Sequence, residues 1–529
     1  MWSSKQKTNA VQAGTATLLL LIAAQTLATR SVVHAGAETA EQRTVTVTIQ
    51  NARTTEPVPA VIRVLNSDNM PLKLEGLFKR PNGWYSIASG TAIKLPKQKL
   101  TIQALRGIES LRTAVTVHPE QTEVTLDIER FADLKHAGWQ SGNTHLHLNK
   151  LSRRRAEEYL RLVPDSDDLS LVYLSHLRRI PDESTYISNS IVEDEWDTNA
   201  LQQLSSGRVL LRPGEEHRHN FGGGGEGFGH VMLLEIPQLI RPVSIGPGIM
   251  RSGSDSQPLQ RGIRRAIDTG GTVIWCHNTF GFEDVPNWLN GTLHAQNIFD
   301  GGSRGSYSES FYRYLNLGLR VPFSTGTDWF IDDFSRVYIP GAGKINSRKW
   351  LTGLRNGKST ITNGPLLSFS VNGKRSGHIF DFDGPVEVHV RADANGRDDF
   401  GSLQLIWNGR VYVTAEAQRG QQKVFSATLE ETLQVAEPGW LAVRTQPQSG
   451  TNDFNRALFA HTSPIYLDLQ GRQTFHPDTA IQLIAEMEES LQTIREKAVF
   501  ATSDEDIAVK QVYLEGISQL RQMLRNRSR

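Results

Sequence analysis

One cysteine, Cys276, stands among the 529 residues. A single thiol closes no intramolecular disulfide and cannot build a Cys-rich zinc module, so any metal must be held by His, Asp and Glu. An excess of charge is missing too, with Lys and Arg totalling 57 against 56 for Asp and Glu. That balance supplies no global field for nucleic acid or an anionic membrane, and no nucleic acid is expected as a partner. After Ala28 there is no apolar run of membrane-crossing length. Internal repeats and low-complexity tracts are also absent. What remains is an ordinary mixture, 38% apolar and 21% charged, long enough for three or four domains.

The one long apolar run, Gly14–Ala28, follows Lys5 and Lys7 and ends shortly before Ala35-Gly36-Ala37. Its length suits a signal-peptide core and is short for ~30 Å of hydrocarbon. Residues 1–37 therefore read as a signal peptide cleaved after Ala37, with an uncleaved anchor as the alternative. Arg30 stands alone, after the run, so the twin-arginine signal is absent and general secretory export is expected. The mature chain is expected in the periplasm or secreted, with no stable membrane span.

Period-two alternation in Thr44-Val45-Thr46-Val47-Thr48-Ile49 opens a series of short strands separated by turn residues. It predicts a β-sandwich over 43–130, a structural or binding accessory with no cluster of titratable groups. From 138 to 365 short apolar runs (Leu169–Leu174, Val209–Leu211, Val231–Ile236, Thr272–Cys276) alternate with helix-compatible stretches such as Ala156–Val163 and Leu259–Thr269. That texture suits an α/β barrel or a related layered fold. β texture returns over 366–467, where Asn408-Gly409 marks a hairpin, and predicts a second sandwich. Residues 477–529 read as a helical hairpin. Its first helix presents Ile481, Ile484, Met487, Leu491 and Ile494, and Ser503 with Asp506 offers a capping box for the second.

Seven of the fifteen histidines lie between His145 and His277. His145 and His147, at i and i+2 near a strand end, point to one side and can reach one ion. Gly214-Glu215-Glu216 follows a strand and precedes His230, which opens the next. A solvated loop over Glu215–His219 is the competing reading. His277 ends the Thr272–Cys276 run, with Cys276 expected to point away and pack. Asp328 closes Ser324-Thr325-Gly326-Thr327-Asp328. Four strand ends in order thus deliver imidazole and carboxylate, a ligand set suited to Zn, Mn or Fe with open positions for hydrolysis. Phe221–Gly227 is a glycine-rich loop able to bring backbone N–H groups to an anion, or simply mobile. Arg336, eight residues after Asp328, is a candidate substrate-anion contact, with a surface arginine as the other reading.

These motifs, together with Gly357–Pro365 (GKSTITNGP) and Ala104–Glu109 in the preceding domain, resemble the PHP (polymerase and histidinol phosphatase) superfamily of metal-dependent hydrolases. The exported branch related to bacterial carbaryl hydrolase is the most similar. The resemblance covers about Gly138–Gly373. It implies a distorted (β/α)7 barrel, flanked here by β-sandwich domains, with metals at the strand ends. His145 and His147 match the opening motif, Glu216 the bridging carboxylate (Glu215 remaining the alternative), His230 and His277 the second metal's histidines, and Asp328 the late aspartate. Four positions depart from the pattern, three of them at ligand positions: Ser175 precedes His176, Phe330 ends the Asp-x-His position, and Arg153 replaces a histidine. Two of the third metal's three ligands are thereby missing, and two divalent ions (Zn, Mn or Fe) are expected. Asn143 stands where the family has an aspartate.

The resemblance implies metal-assisted hydrolysis of a small-molecule substrate, phosphoesterase-like, with His176 as a catalytic acid or phosphate-oxygen partner. The alternatives are a carbamate, ester or amide hydrolase on the same site, or a catalytically degenerate secreted binder whose β domains contact glycan or a surface.

Overall fold

In the computed structural model, Val45, Val47 and Ile49 of the strand Gln42–Asn51 are buried and Thr44 is exposed, as the alternation requires. The structure describes residues 41–179, 186–220, 227–246, 248–249, 254–277, 282–300, 305–420 and 423–527. The expected signal peptide and Phe221–Glu226 of the glycine-rich loop lie outside them. Gln42–Asn51 joins Thr91–Pro96 and Glu123–Ile128 in a three-stranded sheet. A five-stranded sheet, centred on Ala60–Leu65, packs over it around Val45, Ile62, Ile102 and Leu126.

The middle of the chain forms a curled, mixed sheet. Trp139–His147 is its seam, parallel to Leu171–His176 on one side and to Asp328–Trp329 on the other. Leu171–His176 is followed in parallel by Leu210–His219, the helices Arg153–Ser166 and Ile187–Thr198 making the crossovers. Thr272–Cys276, Ala295–Asn297 and Phe323–Ser324 form a second parallel run. His230–Leu234 lies antiparallel to both Leu210–His219 and Thr272–Cys276, so the sheet is not uniformly parallel. From Gln140 onward every residue of the seam strand is buried, as expected for a strand covered on both faces.

The C-terminal β region is less separate than its sequence suggests. One layer, Leu366–Val371, Val386–Gly396, Phe425–Val435 and Gln418–Arg419, is a sheet of its own. The facing layer continues the curled sheet, because Thr360–Thr362 pairs with Ala460–Thr462 across the expected boundary at 365. Asn408 and Gly409 make the predicted two-residue turn, with φ of 48° and 86°. The architecture is thus multidomain and sheet-rich, closed by the helical pair Pro477–Lys497 and Ser503–Arg527. Two details of that pair differ from expectation. Ile481 is 56% exposed and the buried face runs Ala480, Leu483, Met487, Leu491, Ile494. The capping hydroxyl belongs to Thr502, which accepts from Glu505 N at 3.3 Å, while Glu505 accepts from Ala501 N at 2.8 Å. Among the described residues no helix is long and apolar enough to cross a membrane.

The first sandwich does carry titratable groups, at its contact with the curled sheet. Arg80 donates to both oxygens of Asp167, each at 2.8 Å, with both side chains fully buried. Arg106 reaches Asp165 at 2.7 Å and Asp168 at 2.8 Å. Glu109 accepts from Tyr338 Oη at 2.7 Å and Leu134 N at 2.8 Å. These partners are far apart in sequence, so no local motif announces them.

Candidate metal centre

Period two sends His145 and His147 to the same side of the seam strand, their rings nearly perpendicular and 4.7 Å apart. His147 Nδ1 lies 2.8 Å from the carbonyl oxygen of Ser175, which can only accept, so the neutral tautomer carries its proton on Nδ1 and turns the Nε2 lone pair toward His145. Asp300 does the same for His145, its Oδ2 2.6 Å from Nδ1. The two Nε2 atoms face each other at 2.8 Å, an arrangement that needs a proton or a cation between them.

Carboxylates close around that point. Glu216 Oε2 is 2.9 Å from His147 Nε2 and 3.8 Å from His145 Nε2. Asp328 Oδ1 is 3.6 Å from His145 Nε2 and 3.9 Å from His147 Nε2. The four donor atoms all lie within 4.8 Å of one another, a spacing that bonds of about 2 Å to one central ion would span. Glu216 turns its other oxygen, Oε1, to His230 Nδ1 at 3.2 Å, and His277 Nδ1 sits 3.4 Å beyond. Glu216, His230 and His277 form a second group of the same compactness. Asp328 touches this group as well, Oδ2 being 3.5 Å from His277 Nε2.

Local backbone and packing hold these atoms in place. Asp328 and Phe330 adopt φ of 54° and 58°, a left-handed conformation that costs about 1 kcal/mol or more per residue. Thr327 N and Phe330 N compensate by donating to the carbonyls of His145 and His147 at 3.1 and 3.0 Å. A Cβ at Gly326 would lie 2.6 Å from His145 Cβ and 2.8 Å from Asp300 Oδ1, so only glycine lets this turn approach the histidine. Asn143 is fully buried; its Oδ1 accepts from His145 N at 3.0 Å and its amide donates to Thr327 Oγ1 at 2.7 Å. It ties the two motifs together.

The electrostatics follow from burial and proximity. Burial pushes the Glu216 carboxyl up, but Arg218 and the histidines around it outweigh this and hold it well below the usual carboxylate range. Asp328 is likewise held low, burial being overcome by His277 and His145. Burial, then Arg218, pushes His230 down to about 3, so it is a neutral base with a lone pair to give. His145 is raised despite burial because Asp300 faces it, and His277 is raised by Asp328. A cation in the centre would displace those protons.

Every residue expected to hold metal, His145, His147, Glu216, His230, His277 and Asp328, falls in one of the two groups. Three expectations need correction. Glu215–His219 is not a solvated loop but buried strand, and alternation turns Glu215 to the opposite face, where it accepts from Ile240 N at 2.6 Å and lies 2.9 Å from His217 Nδ1. Cys276 does not point away: its sulfur lies within 4.8 Å of donor atoms of His145 and His277, although burial and the nearby Glu216 keep its thiol protonated. Arg336 is not a surface arginine. It is 1% exposed and its guanidinium donates to the carbonyls of Phe334 and Asp167, at 2.9 and 2.8 Å.

His176 stands outside both groups. Its Nε2 is 3.0 Å from Glu193 Oε1, and it lines a cavity of about 650 Å³ with Arg178, Asn189 and Arg241. Burial lowers its pKa, leaving it neutral near pH 7. The residue that sequence reasoning missed is Asp300, which orients His145 and is itself held by Asn297 at 2.7 Å. The only signal was an acidic residue just after the short strand Ala295–Asn297.

No protein-family model and no curated protein matches the chain. Among solved structures, a Bacteroides uniformis beta-glucuronidase 2 covalently bound to cyclophellitol-6-carboxylate aziridine aligns at 10% identity and a TM-score of 0.14. The alignment covers 78% of this chain and 58% of that one, and at such a score it bears on neither fold nor activity.

Proposed function

We propose that this chain is an exported hydrolase that holds two divalent metal ions, Zn, Mn or Fe, and cleaves a phosphoester-like small molecule on a PHP-type (β/α)7 barrel. The observation that carries the reading is the pair of Nε2 lone pairs converging at 2.8 Å, backed by two carboxylates. His145, His147, Glu216 and Asp328 would hold one ion, and Glu216, His230 and His277 the other. When bound, the ions supply Lewis acidity toward a phosphoryl or carbonyl oxygen and lower the pKa of water. Asp300 and the Ser175 carbonyl fix the tautomers of the two seam histidines, so both present Nε2 without rearrangement. Glu216 divides its oxygens between the two groups and so sets their separation. Neutral His176, on the lining of its own cavity, would bond a substrate oxygen or exchange a proton with it.

The barrel reading is supported by the parallel runs on each side of the seam strand and by their helical crossovers. A count of two ions is supported by what occupies the remaining positions. Arg153 is paired with Glu157 and Asp194, each at 2.7 Å, and Phe330 packs edge-on against Tyr159, so neither offers a ligand. Turnover assays on aryl phosphates and phosphodiesters, beside aryl carbamates and esters, test the reading. Metal-dependent phosphoester cleavage that is lost in His147→Ala supports it. Cleavage of carbamates alone would move the substrate class. No turnover by metal-loaded protein on any of them would leave a secreted binding protein.

A further inference from the structure

A cavity of about 560 Å³ lies between the curled sheet and the separate C-terminal sheet, lined by no residue of the metal groups. Its wall mixes apolar and aromatic groups, Leu134, Trp139, Tyr338 and Leu366 among them, with hydroxyls such as those of Thr360 and Ser376. Tyr338 already donates its hydroxyl to Glu109, so it offers the cavity ring surface only. Around this wall stand Lys358, Lys374, Arg375 and Arg391, from three separate stretches of chain. None of their side chains makes an ion pair among the described residues, and Arg375 lies over the Trp139 ring with its guanidinium carbon 5.7 Å from the centroid. Among the described residues that line the cavity the one acidic side chain, Asp393, accepts from Ser368 and Thr428 hydroxyls at 3.1 and 3.0 Å. It makes no ion pair with the four cations, which are exposed at the cavity rim. The His378 imidazole, also on the lining, is held below its usual range by burial and then by Lys374.

We propose that this cavity is a second ligand site, selective for an organic anion with a flat or apolar body and one carboxylate, sulfate or sulfonate head. Its volume is that of a small-molecule pocket, large enough for one or two fused rings. The body lies against Trp139 and Leu366, and the head pairs with Lys374 and Arg375. Unpaired cations beside apolar surface attract such a ligand because its desolvation is repaid by charge-assisted hydrogen bonds.

The test is calorimetric and fluorescence titration of the full chain with anilinonaphthalenesulfonate, and with neutral phenylnaphthylamine as the uncharged counterpart. The expected result is one saturable site for the anion, weakened about tenfold or more in Lys374→Gln, Arg375→Gln, with the neutral probe changed less than about twofold. Asp393→Asn should bind the anion as well as or better than wild type, and His145→Ala should bind it unchanged, which separates this site from the metal centre. Equal thermal midpoints of the variants exclude misfolding. Absence of saturable binding, equal affinity for both probes, an unchanged affinity in the double variant, or loss of binding in His145→Ala would each overturn the proposal.

Discussion

Two buried charge clusters lie along the same part of the chain, and they are built on opposite rules. Where the first sandwich meets the curled sheet, Arg80, Arg106 and Arg130 face Asp165, Asp167, Asp168 and Glu109, with the guanidinium groups donating and the carboxylates accepting. Each charge finds its complement within the protein. At the strand ends around His145, the donors face one another: two imidazole nitrogens at 2.8 Å, with Glu216 and Asp328 converging on the same space. The first cluster is complete as folded. The second makes chemical sense once a cation stands in the middle. Burial and charge density alone therefore do not tell the two clusters apart; the convergence of ligand atoms on one point does.

The sharpest way to break that contrast is Glu216→Ala, which removes the carboxylate shared by both groups. Turnover should fall about a thousandfold or more, since both ions would lose a ligand, with circular dichroism unchanged. Arg80→Met should do the reverse. It leaves Asp167 buried without its partner, which costs about 3–5 kcal/mol. A large fall in thermal midpoint with unchanged metal per folded chain is the expected outcome, and a loss of metal instead would erase the distinction.

Asp300→Asn probes a positioning residue. The amide still reaches His145 but no longer carries the charge that fixes its tautomer, and metal affinity should drop about 10- to 100-fold by competition with a chromophoric chelator. The smallest effect concerns His461, the counter-example to His145. Its Nδ1–H donates to Thr462 O at 2.8 Å and its Nε2 accepts from Tyr312 Oη at 2.7 Å, so the protein satisfies both nitrogens. Burial, then Arg444, pushes its pKa down to about 3, against 6.5 for an unperturbed imidazole. The unfolded chain takes up this proton first, so stability is full above pH ~6.5 and falls as pH drops toward ~3, by about 2 kcal/mol between pH 6.5 and 5. Denaturant melts of His461→Gln should show a correspondingly shallower acid slope.

The candidate metal centre was more legible in the sequence than the charge network because strand geometry makes some long-range facts local. His-x-His needs only a period of two to face one ion, and Gly-x-Glu before His230 needs only adjacent strands. The same alternation would have decided between Glu216 and Glu215 had the strand been known to run on to His219. A run of Glu, Arg and His reads as a loop because burying it requires partners, such as Ile240 N, that no local pattern reveals. Arg80 meets a residue 87 positions away, and Arg336 reaches back 169 positions to Asp167. Such pairs leave no spacing signature. The continuity of the curled sheet into the C-terminal layer was hidden likewise, since Thr360–Thr362 finds Ala460–Thr462 only in three dimensions.

The most direct measurement is elemental analysis of the purified protein, wild type beside a His145→Ala, His277→Ala double variant. About two equivalents of Zn, Mn or Fe per wild-type chain, lost in the variant while the fold persists, is the predicted result. A wild-type chain that binds no divalent metal even after reconstitution would contradict the account, because the converging lone pairs of His145 and His147 would then have no cation to serve.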